Sequence, residues 1–168
     1  MAITYNVPGP AMVKVGTGTN GAYEDLGYTR NGAEVELRVF VEEVKSDDAG
    51  GEQGAPGDLN FLGEIAEITL ELTRFDQTIL DKVIDRMKSQ GASPGIVPAP
   101  GLLWFTDGEA IKLALAPSKT GQNPWVFPIA APTGAIRFNV GVNSQRVSMT
   151  WTAVRNPTDG VLFTRTLA

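Results

Sequence analysis

The feature that most constrains the fold is a strict alternation of apolar and polar residues. Over residues 33–45, Val35, Leu37, Val39 and Val41 fall on one face. Glu34, Glu36, Arg38, Phe40 and Glu42 fall on the other. Residues 64–74 repeat the pattern: Ala66, Ile68, Leu70 and Leu72 on one side, Glu67, Thr69, Glu71 and Thr73 on the other, with Ile65 interrupting the polar side. Successive side chains of a β-strand point to opposite faces, so each stretch reads as a long strand with one buried and one wet face. The first is longer than the usual five or six residues.

The rest of the chain reads as shorter strands and one helix. Residues 1–10 suggest an N-terminal arm. Ala11 to Val15 follows as an edge strand, Gly16 to Gly21 as a flexible loop, and Leu26-Gly27-Tyr28 as a tight turn. Residues 46–62 hold four glycines and few anchors, a loop of a length that compact domains seldom carry without a role. Its final Leu59, Phe61 and Leu62 look like an apolar anchor. Residues 76–90 form the one convincing helix: Asp76 suits the N-cap, Ile79, Leu80, Val83, Ile84 and Met87 make one stripe, Lys88 suits the dipole, and Gly91 is the stop.

After a Pro/Gly connector come strand candidates at 102–106, 110–116 and 125–130, with Asp107-Gly108 as a hairpin turn. Residues 135–142 place Ile136, Phe138, Val140 and Val142 on one face. Residues 145–155 place Val147, Met149, Trp151 and Ala153 inside. Val161 to Leu167 reads as a last strand. Connections this short suit antiparallel pairing. The expected fold is mainly β, an antiparallel β-sandwich or half-barrel with one flanking α-helix at about 76–90, in a single domain spanning 1–168.

Two absences narrow the chemistry. The 168 residues include no cysteine and no histidine. That removes disulfides, thiolate metal sites, the Ser-His-Asp triad and ordinary zinc or haem sites. Asp47, Asp48, Glu52 and Asp58 could offer oxygens to a hard cation, but their spacing does not match an EF-hand. Glu34, Glu36, Glu67 and Glu71 could supply a glycosidase pair, yet they stand in regular rows, as on a wet sheet face. The segment 16–21 lacks the Lys-Ser/Thr ending of a P-loop. Trp104, Trp125 and Trp151 lie in apolar strands and read as core. No cofactor is expected, nor an enzyme. Residues 1–10 lack the features of a signal peptide, and no apolar run is long enough to span a membrane.

Charge is uneven along the chain. Residues 31–75 carry eleven acids against Arg38, Lys45 and Arg74, whereas residues 76–168 carry six acids against nine bases. Such polarity suits two faces of opposite sign that meet head to tail between identical copies.

The layout resembles the major tail tube proteins of tailed bacteriophages. The resemblance covers most of the chain. It rests on the N-terminal arm, Leu26-Gly27-Tyr28 leading to Gly32 and a long strand, and the acidic Gly-rich loop with Asp47, Asp48, Gly50 and Asp58. It rests also on Leu62-Gly63-Glu64 before a second long strand, the helix at 76–90, and a closing hairpin through Arg146 to Arg155. The resemblance implies a β-sandwich with a flanking helix, in homohexameric rings whose long strands join into one inner barrel. It implies that rings stack into a tube in the virion tail, assembled in the host cytoplasm. DNA would pass through without specific binding, and the partners would be other tail proteins: terminator, tape measure, baseplate or sheath. Lumen-facing candidates are then Glu34, Glu36, Glu67 and Glu71, since an acidic wall repels phosphate. Ring-stacking candidates are Asp47, Asp48, Asp58, Leu59, Phe61 and Leu62. The same size and composition also suit other head–tail or capsid proteins, such as a tail terminator, connector or decoration protein.

Overall fold

The computed structural model describes residues 2–17, 22–44, 58–88, 111–140 and 145–166. Eight strands and one helix follow in the order β1 (Ala2–Pro8), β2 (Ala11–Thr17), β3 (Tyr23–Val44), β4 (Asp58–Phe75), α1 (Gln77–Lys88), β5 (Ile111–Pro117), β6 (Trp125–Pro132), β7 (Arg137–Val140) and β8 (Gln145–Val154). Every strand pairing is antiparallel.

The fold is mainly β, as the alternation requires, but the sheet closes on itself. The path β3-β2-β5-β6-β8-β4 returns to β3, because β4 pairs with β3 as well as with β8. This is a closed six-stranded barrel rather than a sandwich or half-barrel. The closure depends on the length of β3. Its first part pairs with β2 and its later part with β1, while β4 runs along its other edge. A strand serving so many partners must bend, and register shifts at Tyr28/Thr29 and Thr29/Ala33 supply the bends.

Gly32 is essential to that bend. It has φ +89°, and a Cβ there would fall on the Val7 carbonyl oxygen. Only glycine combines that conformation with so close an approach of backbone to backbone. Beside the shift, buried Thr29 accepts a hydrogen bond from the Ala11 N–H at 3.0 Å, supplying a partner that the interrupted ladder lacks.

The core fills the barrel. Val13, Val35, Ile68, Leu72, Leu113, Phe127, Val147 and Trp151 are buried, and Leu80 and Val83 of α1 join them. Asp76 caps the helix as expected, its Oδ1 accepting from the Thr78 N–H at 2.8 Å and the Ile79 N–H at 3.2 Å. The helix seats where β2 finishes and β3 and β5 begin, where Ile79 and Val83 line a small cavity together with Val15 and Ile111.

Several boundaries differ from expectation. The N-terminal arm is strand β1, whose Ile3, Tyr5 and Val7 alternate with Thr4 and Asn6. Leu26-Gly27-Tyr28 is no turn but a stretch within β3. Residues 58–62, expected in the long loop, already belong to β4 and pair with β3. Val161 to Leu167 forms no strand over its described residues: Leu162 is buried, and a single bridge joins Thr164 to Val126. Phe138 and Val140 lie on the expected face but are exposed, because β7 is an outer strand that pairs only with β8 among the described residues. The loop over 46–57, the segment 102–110 with its Asp107-Gly108 turn and Trp104, and Val142 lie outside the described residues. So does the Met87 side chain.

Candidate functional site: the outward sheet and its projecting ribbon

No cluster of acids able to hold a metal occurs among the described residues. The features with functional content are surfaces. The strands β1, β3, β4, β8 and β7 lie side by side, and their faces away from the core form one polar wall. Cross-strand pairing fixes its composition. Asn6, Glu34, Thr69 and Thr150 form one row; Thr4, Glu36, Glu67 and Thr152 form the next. The four glutamates singled out from the sequence share this wall: Glu71 follows two residues after Thr69 and pairs with Ser148.

Sequence reasoning missed how the charge is balanced. Glu36 and Glu67 stand directly opposite each other, an arrangement that is destabilising for like charges. Arg38 relieves it. Its Nε donates to Glu36 at 2.8 Å and a terminal nitrogen reaches Glu67 at 3.0 Å. The planar guanidinium with its forked donors suits two carboxylates at once. Arg146 lies 3.6 Å from Glu71 on this wall, whereas Arg155 lies 3.6 Å from Glu64 on the opposite, core-side face, where Glu64 stands across from Val39. Glu34 has no ion-pair partner among the described residues. The wall is therefore a lattice of carboxylates, held arginines and threonines. The signal was present in the sequence, because Arg38 shares the phase of Glu34 and Glu36.

The Arg38 hydrogen bond, aided by its charge, holds the Glu36 carboxyl below the usual carboxylate range, with burial opposing. A carboxyl whose pKa falls on folding contributes stability above its unfolded pKa and loses it as pH falls through the folded value. Glu36 is solvent-accessible, so the effect belongs to the site rather than to global stability. In Arg38→Gln the Glu36 midpoint is expected to rise toward the ordinary range. Carboxyl-carbon NMR titration reads this directly, and an unmoved midpoint would contradict the assignment.

The second surface is a ribbon. Beyond the barrel, β3 and β4 continue as a two-stranded hairpin, with Val41 opposite Phe61, Glu43 opposite Leu59 and Val44 opposite Asp58. A shift at Phe40/Val41 leaves Leu62 as the extra residue of β4. Following the alternation from buried Val35, the core-side face of the ribbon carries Val39, Val41, Leu59 and Phe61, together with Glu64 opposite Val39 and Glu43 opposite Leu59. Leu59, Phe61 and Leu62 are 55%, 50% and 63% exposed. The Arg155 guanidinium lies 5.6 Å from the centre of the Phe61 ring. Asp58 begins the strand and accepts a bond from the Leu59 N–H at 2.7 Å. Asp47 and Asp48 lie outside the described residues. A two-stranded hairpin is marginal in water by itself, and exposed apolar side chains on one call for cover.

No family model matches the chain, and no curated protein matches it. Solved structures do. A chain in the virion of the native gene transfer agent particle aligns with a TM-score of 0.51 at 12% identity, over 92% of this chain and 95% of that one. A chain in the tail of the empty gene transfer agent particle, refined helically with C6 symmetry, aligns with a TM-score of 0.45 at 11% identity, over 94% and 96%. The likeness to the virion chain is one of fold.

Proposed function

We propose that this chain is a non-enzymatic virion structural protein whose copies form rings of six, and that the rings stack into the tail tube through which DNA leaves the particle. The observation that carries the reading is the projecting ribbon. Its core-side face extends beyond the end of the barrel, and among the described residues Val41, Leu59 and Phe61 on that face stay about half exposed. A fold spends such a surface on a partner, and a second copy supplies a barrel end of matching scale. The shared fold with a virion chain agrees with this reading.

In this reading the polar wall lines the lumen. Glu34, Glu36, Glu67 and Glu71 face the passing DNA, and Arg38 and Arg146 are held by carboxylates. Phosphates thus meet few uncommitted cations, and little counterion release is available to trap the duplex. Leu59, Phe61 and Leu62, with the segment that follows Val44, make the ring-to-ring contact. Other tail proteins meet the two ends of the tube, in a tail assembled in the host cytoplasm.

Negative-stain imaging and light scattering of the purified chain test this directly. Rings or tubes are expected without any added cofactor. A protein that stays monomeric at high concentration in every salt condition would reject the reading.

A further inference from the structure

Among the described residues the outward sheet has two open edges: β1 pairs only with β3, through Ala2 to Pro8, and β7 pairs only with β8, through Arg137 to Val140. An open edge presents unpaired N–H and C=O groups that template another strand. Neither edge carries a lysine, and the protections present are slight: Pro8 closes β1, while β7 is four residues long with Arg137 on its wall side.

The two edges also match in their faces. On the core side, β1 exposes Ile3 and Tyr5 at 41% and 42%, although they pair with Leu37 and buried Val35. On the same side, β7 exposes Phe138 and Val140 at 51% and 74%, although Phe138 pairs with buried Val147. On the wall side, β1 offers Thr4 and Asn6, and β7 offers Arg137 and Asn139. Joining the edges would set apolar against apolar and polar against polar.

Strand polarity then fixes the symmetry. The sheet β1-β3-β4-β8-β7 has five strands with every neighbour antiparallel, so its first and last strands run the same way. A sheet continued around a cyclic axis keeps the polarity of each copy. The junction between β7 of one copy and β1 of the next is therefore parallel. A two-fold dimer would instead pair β1 with β1, or β7 with β7, antiparallel.

We infer that a parallel β7–β1 seam, burying Phe138 and Val140 against Ile3 and Tyr5 of the next copy, joins neighbouring subunits within a ring. The inference rests on the ring reading above and names its lateral contact.

The cysteine-free sequence makes the test clean. Double-cysteine variants combine one position from residues 3–6 with one from residues 137–140 on the same face, and are oxidised after assembly. The two edges of one copy lie four strand spacings apart, about 19 Å along the sheet. That exceeds the Cα separation of about 7 Å within which a disulfide forms, so every bridge joins two copies. The expected result is a ladder of covalent oligomers larger than dimers. The bridging pairs should share one constant difference between their residue numbers, as parallel strands require. Pairs sharing a constant sum, or products that stop at dimers, would overturn the seam. The wall-side pairs, such as Thr4→Cys with Arg137→Cys, leave the apolar contacts intact and serve where core-side pairs fail to fold. Imaging of the same unoxidised samples separates the two proposals. Rings without β1–β7 bridges overturn the seam alone, and the absence of rings overturns both.

Discussion

Replacing Leu59 and Phe61 together by aspartate is expected to abolish tubes while leaving the barrel folded. Both side chains sit on the core-side face of the ribbon, half or more exposed within one copy. Their substitution costs the isolated copy little, since surface changes away from packed features usually move stability by less than about 0.5 kcal/mol. In a stacked tube they would be covered. Burying a Leu or Phe side chain is worth about 1.5–3 kcal/mol. Loss of two such anchors removes about 4 kcal/mol per subunit contact, or roughly a thousandfold in association. Two carboxylates forced into the same apolar contact add a desolvation cost. Circular dichroism should show an unchanged fold and unfolding midpoint, and light scattering should show no growth at concentrations where the parent forms tubes. Tubes of normal length from the double variant would remove the ribbon from the stacking contact. Rings that persist without stacking would locate its role between rings rather than within them.

The alternation of hydrophobicity revealed which way side chains point, but not what covers them. In β8 the two coincide, and Val147, Met149, Trp151 and Ala153 are buried as the pattern requires. In β3 the pattern continues through Val39 and Val41, yet the strand has by then run past the end of the barrel, and Val41 is exposed. Phe138 and Val140 diverge for the same reason at a sheet edge. These exceptions fall on the surfaces proposed above to meet other copies, where apolar residues stay exposed among the described residues.

Glycine misled in a different way. Leu26-Gly27-Tyr28 carries the sequence mark of a turn, and bends within a long strand draw on the same backbone freedom. Only the pairing of β3 with β2 on one edge and β4 on the other separates the two cases. Closure of the barrel was illegible for a related reason. It needs one strand to serve two partners in succession, and local periodicity carries no record of partners. In β1, by contrast, Ile3, Tyr5 and Val7 alternate plainly with Thr4 and Asn6, and the nearby Pro8 and Pro10 masked a legible strand. The site's charge pattern was half legible. The glutamates were found from their rows, but the pairing of Glu36 with Glu67 across the strands, and so the need for Arg38 between them, follows from a register that only the fold fixes.

Replacement of Trp151 by alanine should be the most damaging single change to the barrel itself. The side chain is fully buried on β8, with Ile68 of β4 and Pro132 of β6 as its cross-strand neighbours. Truncating a buried Trp costs about 3–5 kcal/mol, because the apolar transfer is lost and a cavity remains. At about 2–4 °C per kcal/mol for a chain of roughly this size, the midpoint should fall by about 10 °C or more. Trp151→Phe should behave differently. The indole N–H has no hydrogen-bond partner among the described residues, and an unsatisfied buried donor costs about 1–3 kcal/mol. Phenylalanine keeps most of the ring and removes the donor, so its smaller cavity is offset in part, and its cost should be less than half that of alanine. Thermal unfolding of the two variants decides the matter, and equal losses would show that volume alone governs the site. The comparison reaches the assembly as well. Thr150 and Thr152 flank Trp151 on the opposite face of β8, so the same strand holds the core on one side and the polar wall on the other. A phenylalanine that keeps the strand in register should preserve self-assembly at temperatures where the alanine variant is already unfolded.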